Sequence, residues 1–226
     1  MIFTSFHRHG LLAVTLLMMA GCSTAGDLSR SALGYAAPAA ASDPRYAAFE
    51  DHGRALPAIP AAHLTDENVR QLVDFYGPEA PGTSVVDPAA HFLYLVEENG
   101  KAMRYRVGVG KAGFAFAGNA TIARKAEWPG WTPTPNMLKR EPDRFGPYAG
   151  GLEGGLGNPL GARALYLYRG GRDTYYRIHG TNEPATIGRS VSSGCIRMFN
   201  QDVIDLETRV PVGAEVVVRS ASEPVA

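Results

Sequence analysis

Cysteine is scarce in this chain: Cys22 and Cys195 are the only two among 226 residues. Neither sits in a Cys-x-x-Cys pair, and no histidine pair at ligand spacing accompanies them. The pattern argues against a metal site, and neither a metal nor a cofactor is expected. Net charge is missing too, because 22 basic residues balance 22 acidic ones. No basic run or stripe would draw in nucleic acid, so nucleic acid is not an expected partner. Membrane-length hydrophobic runs are also lacking. The apolar run near the N-terminus covers only Leu11–Ala20, about half of what a bilayer requires.

That short run has a purpose of its own. His7, Arg8 and His9 precede it and small residues follow it, the order of a secretion signal over residues 1–21. Met19-Ala20-Gly21-Cys22 then resembles the bacterial lipoprotein processing site, in which the cysteine becomes the lipidated first residue. The resemblance implies lipidation at Cys22 and a membrane anchor. Ser23 next to it implies sorting to the outer membrane, facing the periplasm. Cys195 is then left without a disulfide partner in an exported protein, which calls for a functional explanation.

Residues 22–64 are rich in Ala, Pro, Ser and Gly without a helical or strand period, and read as a lipidated flexible tether. Residues 65–82 read as a short helical lead-in. Thr65 is its cap, Val69, Leu72, Val73 and Tyr76 form its packing stripe, and Gly77-Pro78 is its stop. The main domain is expected over 83–219, with a tail at 220–226. Its pattern is mainly β, with a few short helices. "TSVVD" is a strand, and "HFLYLVEENGKAMRYRVGVG" is a hairpin turning at Asn99-Gly100. "ARALYLYRGGRDTYYRIHG" repeats that plan around Gly170-Gly171. "FNQDVIDLETRV" is a helix capped by Asn200, with Val203, Leu206 and Val210 on one face, and "AEVVVR" is a last strand. Between the hairpins, Trp128 to Gly161 holds 14 glycines and prolines in 34 residues, together with Trp128, Trp131 and Tyr148. A segment this long and irregular is expected to be a lid or binding loop, with Trp131 against substrate.

The chemistry concentrates in "IHGTNEPATIGRSVSSGCIRM". Strand alternation in "TYYRIH" puts Tyr175, Arg177 and His179 on one face and Tyr176 and Ile178 on the other, so His179 is expected on the polar face at a strand end. Cys195 follows Gly194, where a backbone without a side chain can approach a ligand closely. A thiol is a weak nucleophile until ionised, and an imidazole is a common activator. The N–H groups of Gly194 and Cys195 are candidate oxyanion donors. Arg197, two residues on, is expected on the side of Cys195 in an extended segment. The residue types alone point to a thiol nucleophile with a histidine base, carrying out acyl transfer.

"HGT" followed by "SSGCIRM" closely resembles the catalytic motif of the bacterial L,D-transpeptidases, the YkuD-type catalytic domain. The resemblance extends from about Gly82 to Arg219 and includes "YRVGVGK", "NPLGARAL" and "VPVGAEVVV". It implies the family's β-sandwich or barrel-like mixed sheet with few helices. It also implies roles: Cys195 as nucleophile, His179 as proton donor and acceptor, and the Gly180 carbonyl as orienter of the imidazole. Ser192, Ser193 and Gly194 match the turn before the nucleophile, and Arg197 the arginine after it. Ser193 stands where many relatives have histidine. The implied substrates are peptidoglycan stem peptides: a tetrapeptide stem loses D-alanine, and its third residue is passed to an amine. The amine belongs to a second stem, giving a 3–3 cross-link, or to a protein such as one in the outer membrane. Two other readings remain at this stage, a hydrolase that trims stems and a non-catalytic wall-binding lipoprotein.

Overall fold

A computed structural model describes residues 43–111, 116–192 and 194–220. The expected signal segment, Cys22, the first part of the tether, Ser193 and most of the tail lie outside the described residues. In chain order the strands are β1 (Phe49–Asp51), β2 (Arg54–Leu56), β3 (Gln71–Asp74), β4 (Ser84–Asp87), β5 (Phe92–Glu97), β6 (Lys101–Arg106) and β7 (Val109–Gly110). They continue with β8 (Gly118–Glu127), β9 (Arg163–Arg169), β10 (Arg172–His179), β11 (Ser190–Ser192), β12 (Ile196–Arg197) and β13 (Glu215–Val218). The helices are α1 (Pro135–Arg140), α2 (Pro142–Phe145) and α3 (Asn200–Arg209). The fold is mainly β, a mixed sheet with a few short helices.

Nine strands form the main sheet in the order β12-β10-β9-β8-β13-β4-β5-β6-β3. Most neighbours are antiparallel, but β13 runs parallel to β4 and β12 parallel to β10. Past β6 the chain reaches back to the far edge, where Gly108 and Arg197 exchange both backbone hydrogen bonds at 2.8 and 2.7 Å. The sheet therefore curls so that its two ends approach. It wraps a core that includes Leu93, Tyr105, Ile122, Leu165 and Ile178, all with no exposed surface. One face of α3 closes that core, with Val203, Leu206 and Val210 buried as their spacing requires. In the first hairpin, Asn99 and Gly100 both take positive φ (60° and 66°), as a strand-matched turn demands, though the loop is one residue longer than the expected pair.

Two expectations fail in the lead-in. Residues 43–64 are not free tether. Tyr46 is buried, and its hydroxyl donates to Asp202 Oδ1 at 2.9 Å while accepting from the Arg70 N–H at 2.6 Å. Leu56 packs with Trp128 and Ala162. The helix expected over 65–76 is a single turn after Thr65, followed by strand β3 on the edge of β6. Open edge hydrogen bonds on β6 outweigh a weak helical propensity, and Leu72 and Tyr76 of the supposed packing stripe end up exposed.

Asp51 clamps this N-terminal strap. Its carboxylate accepts two bonds from Arg163, at 2.8 and 2.7 Å, and one from Trp128 Nε1 at 2.7 Å, all buried. Asp51→Ala leaves the Arg163 guanidinium in the interior with the Ala162 carbonyl at 2.8 Å and, as its remaining ion-pair partner, Glu207 at 3.7 Å. A buried charge stripped of its partner costs about 3 kcal/mol or more. Thermal unfolding should therefore shift down by roughly 6–12 °C. A shift under about 2 °C would show that the strap is not held by this pair.

Candidate active site

His179 ends β10, paired with Ala164 of β9 on one side and Arg197 of β12 on the other. Its backbone carbonyl accepts from the Met198 N–H at 2.8 Å. The side chain is buried at 4% exposure yet lines a cavity. Nδ1 lies 2.6 Å from the Gly180 carbonyl oxygen. A carbonyl only accepts, so Nδ1 carries the proton and Nε2 is left with its lone pair. Burial, with Arg197 and Arg177 nearby, pushes the imidazole pKa down to about 3.

The loop carrying Gly180 is tied down by a residue whose role the sequence did not reveal. Asn200 was expected to cap α3, but its side chain makes no cap bond. Its Oδ1 accepts from the N–H groups of Ala162 at 2.9 Å and Thr181 at 3.2 Å, and its Nδ2 donates to the Thr181 carbonyl at 2.9 Å. A Cβ on Gly161 or on Gly180 would collide with that same Oδ1. Two glycines therefore admit the amide that holds the His179 loop in place.

Cys195 sits after a tight turn between β11 and β12. Gly194 takes φ 136°, a region that favours glycine. A Cβ on Gly110 of β7 would fall 2.7 Å from the Gly194 Cα, so this approach needs glycine at 110. Ser192 Oγ donates to the Cys195 carbonyl at 2.6 Å and accepts from the Gly194 N–H at 3.1 Å. That second bond corrects the expectation for Gly194: its N–H is engaged by Ser192 and does not stand ready for an oxyanion.

The half-buried Cys195 thiol donates to the Tyr175 carbonyl at 3.9 Å. Tyr175 takes φ 63° inside a register shift of β10 between Asp173 and Arg177. This bulge breaks the simple alternation expected for the strand. Tyr175, Tyr176 and His179 all border the cavity, while Arg177 turns away to pair with Asp173 and stack on Tyr166. Desolvation raises the thiol pKa, against the Arg177 backbone N–H and the charges of Arg177 and Arg197, which favour the thiolate.

The cavity has a volume of about 760 Å³. Cys195, His179, Ser192, Arg197 and Tyr175 lie along it, and α1, α2, Trp131 and Tyr148 from the 128–161 segment line it as well. That segment does border the site, and Thr134 caps its short helix. Trp131 is held by ring contacts with Phe145 and Tyr148, both at 6.2 Å. Among the described residues no cluster of three or more potential metal ligands occurs.

With the imidazole pKa depressed and the thiol pKa raised by burial, both groups are uncharged at neutral pH. Inactivation by iodoacetamide should therefore climb about tenfold per pH unit through neutrality, tracking the thiolate fraction. A rate already flat from pH 5 upward would reveal a preformed thiolate–imidazolium pair and contradict this assignment.

A family model described as the L,D-transpeptidase catalytic domain matches residues 81–218. The chain belongs to that family. Within this L,D-transpeptidase domain lie β4 to β13, the cavity, His179 and Cys195. Among curated relatives, "Probable L,D-transpeptidase ErfK/SrfK" of Escherichia coli K12 is 38% identical over 135 residues, 58% of this chain and 42% of its own length. "Putative L,D-transpeptidase YkuD" of Bacillus subtilis is 52% identical over 62 residues, 27% of this chain and 35% of its own. A crystal structure from Brucella melitensis, titled "Probable carnitine operon oxidoreductase caia", is 55% identical. It covers 66% of this chain and 92% of its own, with a TM-score of 0.47. The L,D-transpeptidase chain spans 42% and 48% of the first two curated relatives it matches.

Proposed function

We propose that this protein is a peptidoglycan L,D-transpeptidase with Cys195 as nucleophile and His179 as proton carrier. One observation carries the reading. A thiol and an imidazole with its Nδ1 proton fixed on the Gly180 carbonyl share one cavity in an L,D-transpeptidase domain. The fixed tautomer leaves Nε2 as the base. Because both groups rest neutral, the thiol proton passes to Nε2 as sulfur attacks the carbonyl of the stem's third residue. The imidazolium then protonates the leaving nitrogen, D-alanine departs, and a thioester remains. An incoming amine attacks the thioester, loses its proton to Nε2, and the collapse returns the thiolate, which regains the proton. The N–H of Cys195 is the proposed oxyanion donor. Arg197, Ser192 and Trp131 border the stem in the cavity.

Purified disaccharide-tetrapeptide and intact-mass analysis of the products test this reading. A cross-linked dimer and free D-alanine support transfer; trimmed tripeptide alone supports a hydrolase; unchanged substrate contradicts both.

The same proposal places the protein in the periplasm, held to the outer membrane by acyl chains on Cys22. Several chains at roughly 0.8 kcal/mol per buried methylene make such an anchor stable. Cys22→Ala should release the protein from the membrane fraction with its activity on soluble fragments unchanged. Continued membrane association would count against the anchor.

A further inference from the structure

Trp128 and Tyr175 are both held at positive φ, 41° and 63°. A bulky side chain is disfavoured there, because its Cβ crowds the neighbouring carbonyl oxygen. At Trp128 packing offsets the cost, since the side chain is buried and its indole donates to Asp51. At Tyr175 packing offers little, because the residue is 70% exposed. The surroundings impose its conformation. Asp173 Oδ1 accepts from the Tyr175 N–H at 2.8 Å, and Arg177 holds both oxygens of that carboxylate, at 2.7 and 2.8 Å. The bulge pinned in this way turns the Tyr175 carbonyl to the Cys195 thiol and leaves Tyr175 along the cavity wall. Glycine or asparagine would meet the same backbone requirement with less strain. Strain kept for an exposed aromatic beside a nucleophile points to a ligand that the ring touches.

We infer that the Tyr175 ring determines specificity by covering the aliphatic side chain of the donor stem's third, diamino residue. This rests on the cavity being the site for a peptidoglycan stem. The sulfur attacks the carbonyl of that third residue, and the Tyr175 carbonyl oxygen lies 3.9 Å from the sulfur. Attack therefore brings the third residue alongside Tyr175, within reach of its ring. A tyrosine presents an apolar ring with a polar tip, and a diamino side chain presents an apolar chain with a polar tip. The ring face against the methylenes, with the hydroxyl beside the polar end, satisfies both. Burying apolar surface favours a long chain over a short one by roughly fourfold per methylene covered. No bond is made or broken in this contact, and Tyr175 acts by holding the donor while Cys195 reacts.

The test is binding, by NMR titration, to the full chain carrying Cys195→Ala, which removes turnover. Free tetrapeptide stems are compared with diaminopimelate, lysine or diaminopropionate as the third residue. Diaminopropionate keeps both amines but loses most of the methylenes. The better of the two long stems should bind about tenfold tighter than the short one. Tyr175→Asn, added to that background, removes the ring and keeps a residue suited to positive φ. It should weaken the long stem about tenfold and the short stem less than about twofold. Tyr175→Phe should keep most of the preference. The melting temperature of the asparagine protein should hold or rise by up to about 4 °C, since strain is relieved and little packing is lost. A fall of more than about 2 °C would show that the ring serves the fold and overturn the inference. So would equal binding of long and short stems, an equal loss for both in the asparagine protein, or an unchanged preference there. A loss seen only with the disaccharide attached would assign the ring to the sugar and overturn it as well. If no stem binds the Cys195→Ala protein, the stem-binding reading fails and the inference falls with it. If the stems bind as expected but the wild-type chain releases no D-alanine, the catalytic reading alone fails and the Tyr175 contact stands.

Discussion

Replacing Cys195 with alanine is expected to abolish acyl transfer, by a factor on the order of 10⁴ or more, while leaving the fold intact. The expectation follows from what surrounds the sulfur. Ser192 Oγ is spent donating to the Cys195 carbonyl and cannot substitute as a nucleophile without breaking the turn. The thiol borders a cavity, so its removal opens no sealed void in the core. Cys195→Ser should fail nearly as badly. An imidazole whose pKa is held near 3 is a weak base, able to serve a thiol but poorly matched to a hydroxyl, which ionises several units higher. Product analysis and a thermal melt of the same samples check both halves. Residual cross-linking by the alanine protein would remove Cys195 from the mechanism.

His179→Ala should lower the rate at neutral pH by about 10²–10⁴-fold, the usual worth of a positioned base. Activity should partly return at high pH, where hydroxide ionises the thiol and the imidazole is no longer needed. The same change has a stability signature whose sign follows from burial. His179 has its folded pKa depressed from 6.5 to about 3, so between these values the unfolded chain binds a proton that the folded chain refuses. Folding stability contributed by the neutral imidazole is therefore lost as pH falls from about 6.5 toward 3. Asp202 acts oppositely: its folded pKa is raised to about 6 by desolvation, so it favours folding as pH falls below 6. That contribution is common to both proteins and cancels in the comparison. The alanine protein should thus lose less stability on acidification than the parent. A parallel decline in both, with no recovery of rate at high pH, would show that His179 is neither buried neutral nor the base.

What the sequence revealed follows from how local each signal is. Asn99-Gly100 specifies its own turn, and Val203, Leu206 and Val210 mark the inner face of α3 through helical spacing alone. His179 and Cys195 were legible because the motif lies within one stretch and the strand β10 ends at the histidine. The failures depend on distant partners. Tyr46 looks like an ordinary aromatic in an Ala- and Pro-rich linker until Asp202, 156 residues away, takes its hydroxyl. Gln71–Asp74 becomes a strand because β6 offers an edge, which no local period records. Asn200 carries the spacing of a cap, but its amide serves Ala162 and Thr181, backbone groups that only the folded chain brings near. The bulge at Tyr175 and the engaged N–H of Gly194 belong to backbone geometry, which side-chain pattern does not report. For Asn200, one signal was available in retrospect: Gly161 and Gly180 both lack the side chain that would displace its amide.

The most direct test of the account is to trap the acyl-enzyme. Wild-type protein is mixed with disaccharide-tetrapeptide without an added amine acceptor, quenched in acid within seconds, and examined by intact mass and peptide mapping. The account predicts a gain equal to the donor minus D-alanine, confined to the peptide that contains Cys195 and lost on treatment with hydroxylamine. The same gain on a peptide lacking Cys195, or product formation by the Cys195→Ala protein with no such adduct, would contradict it.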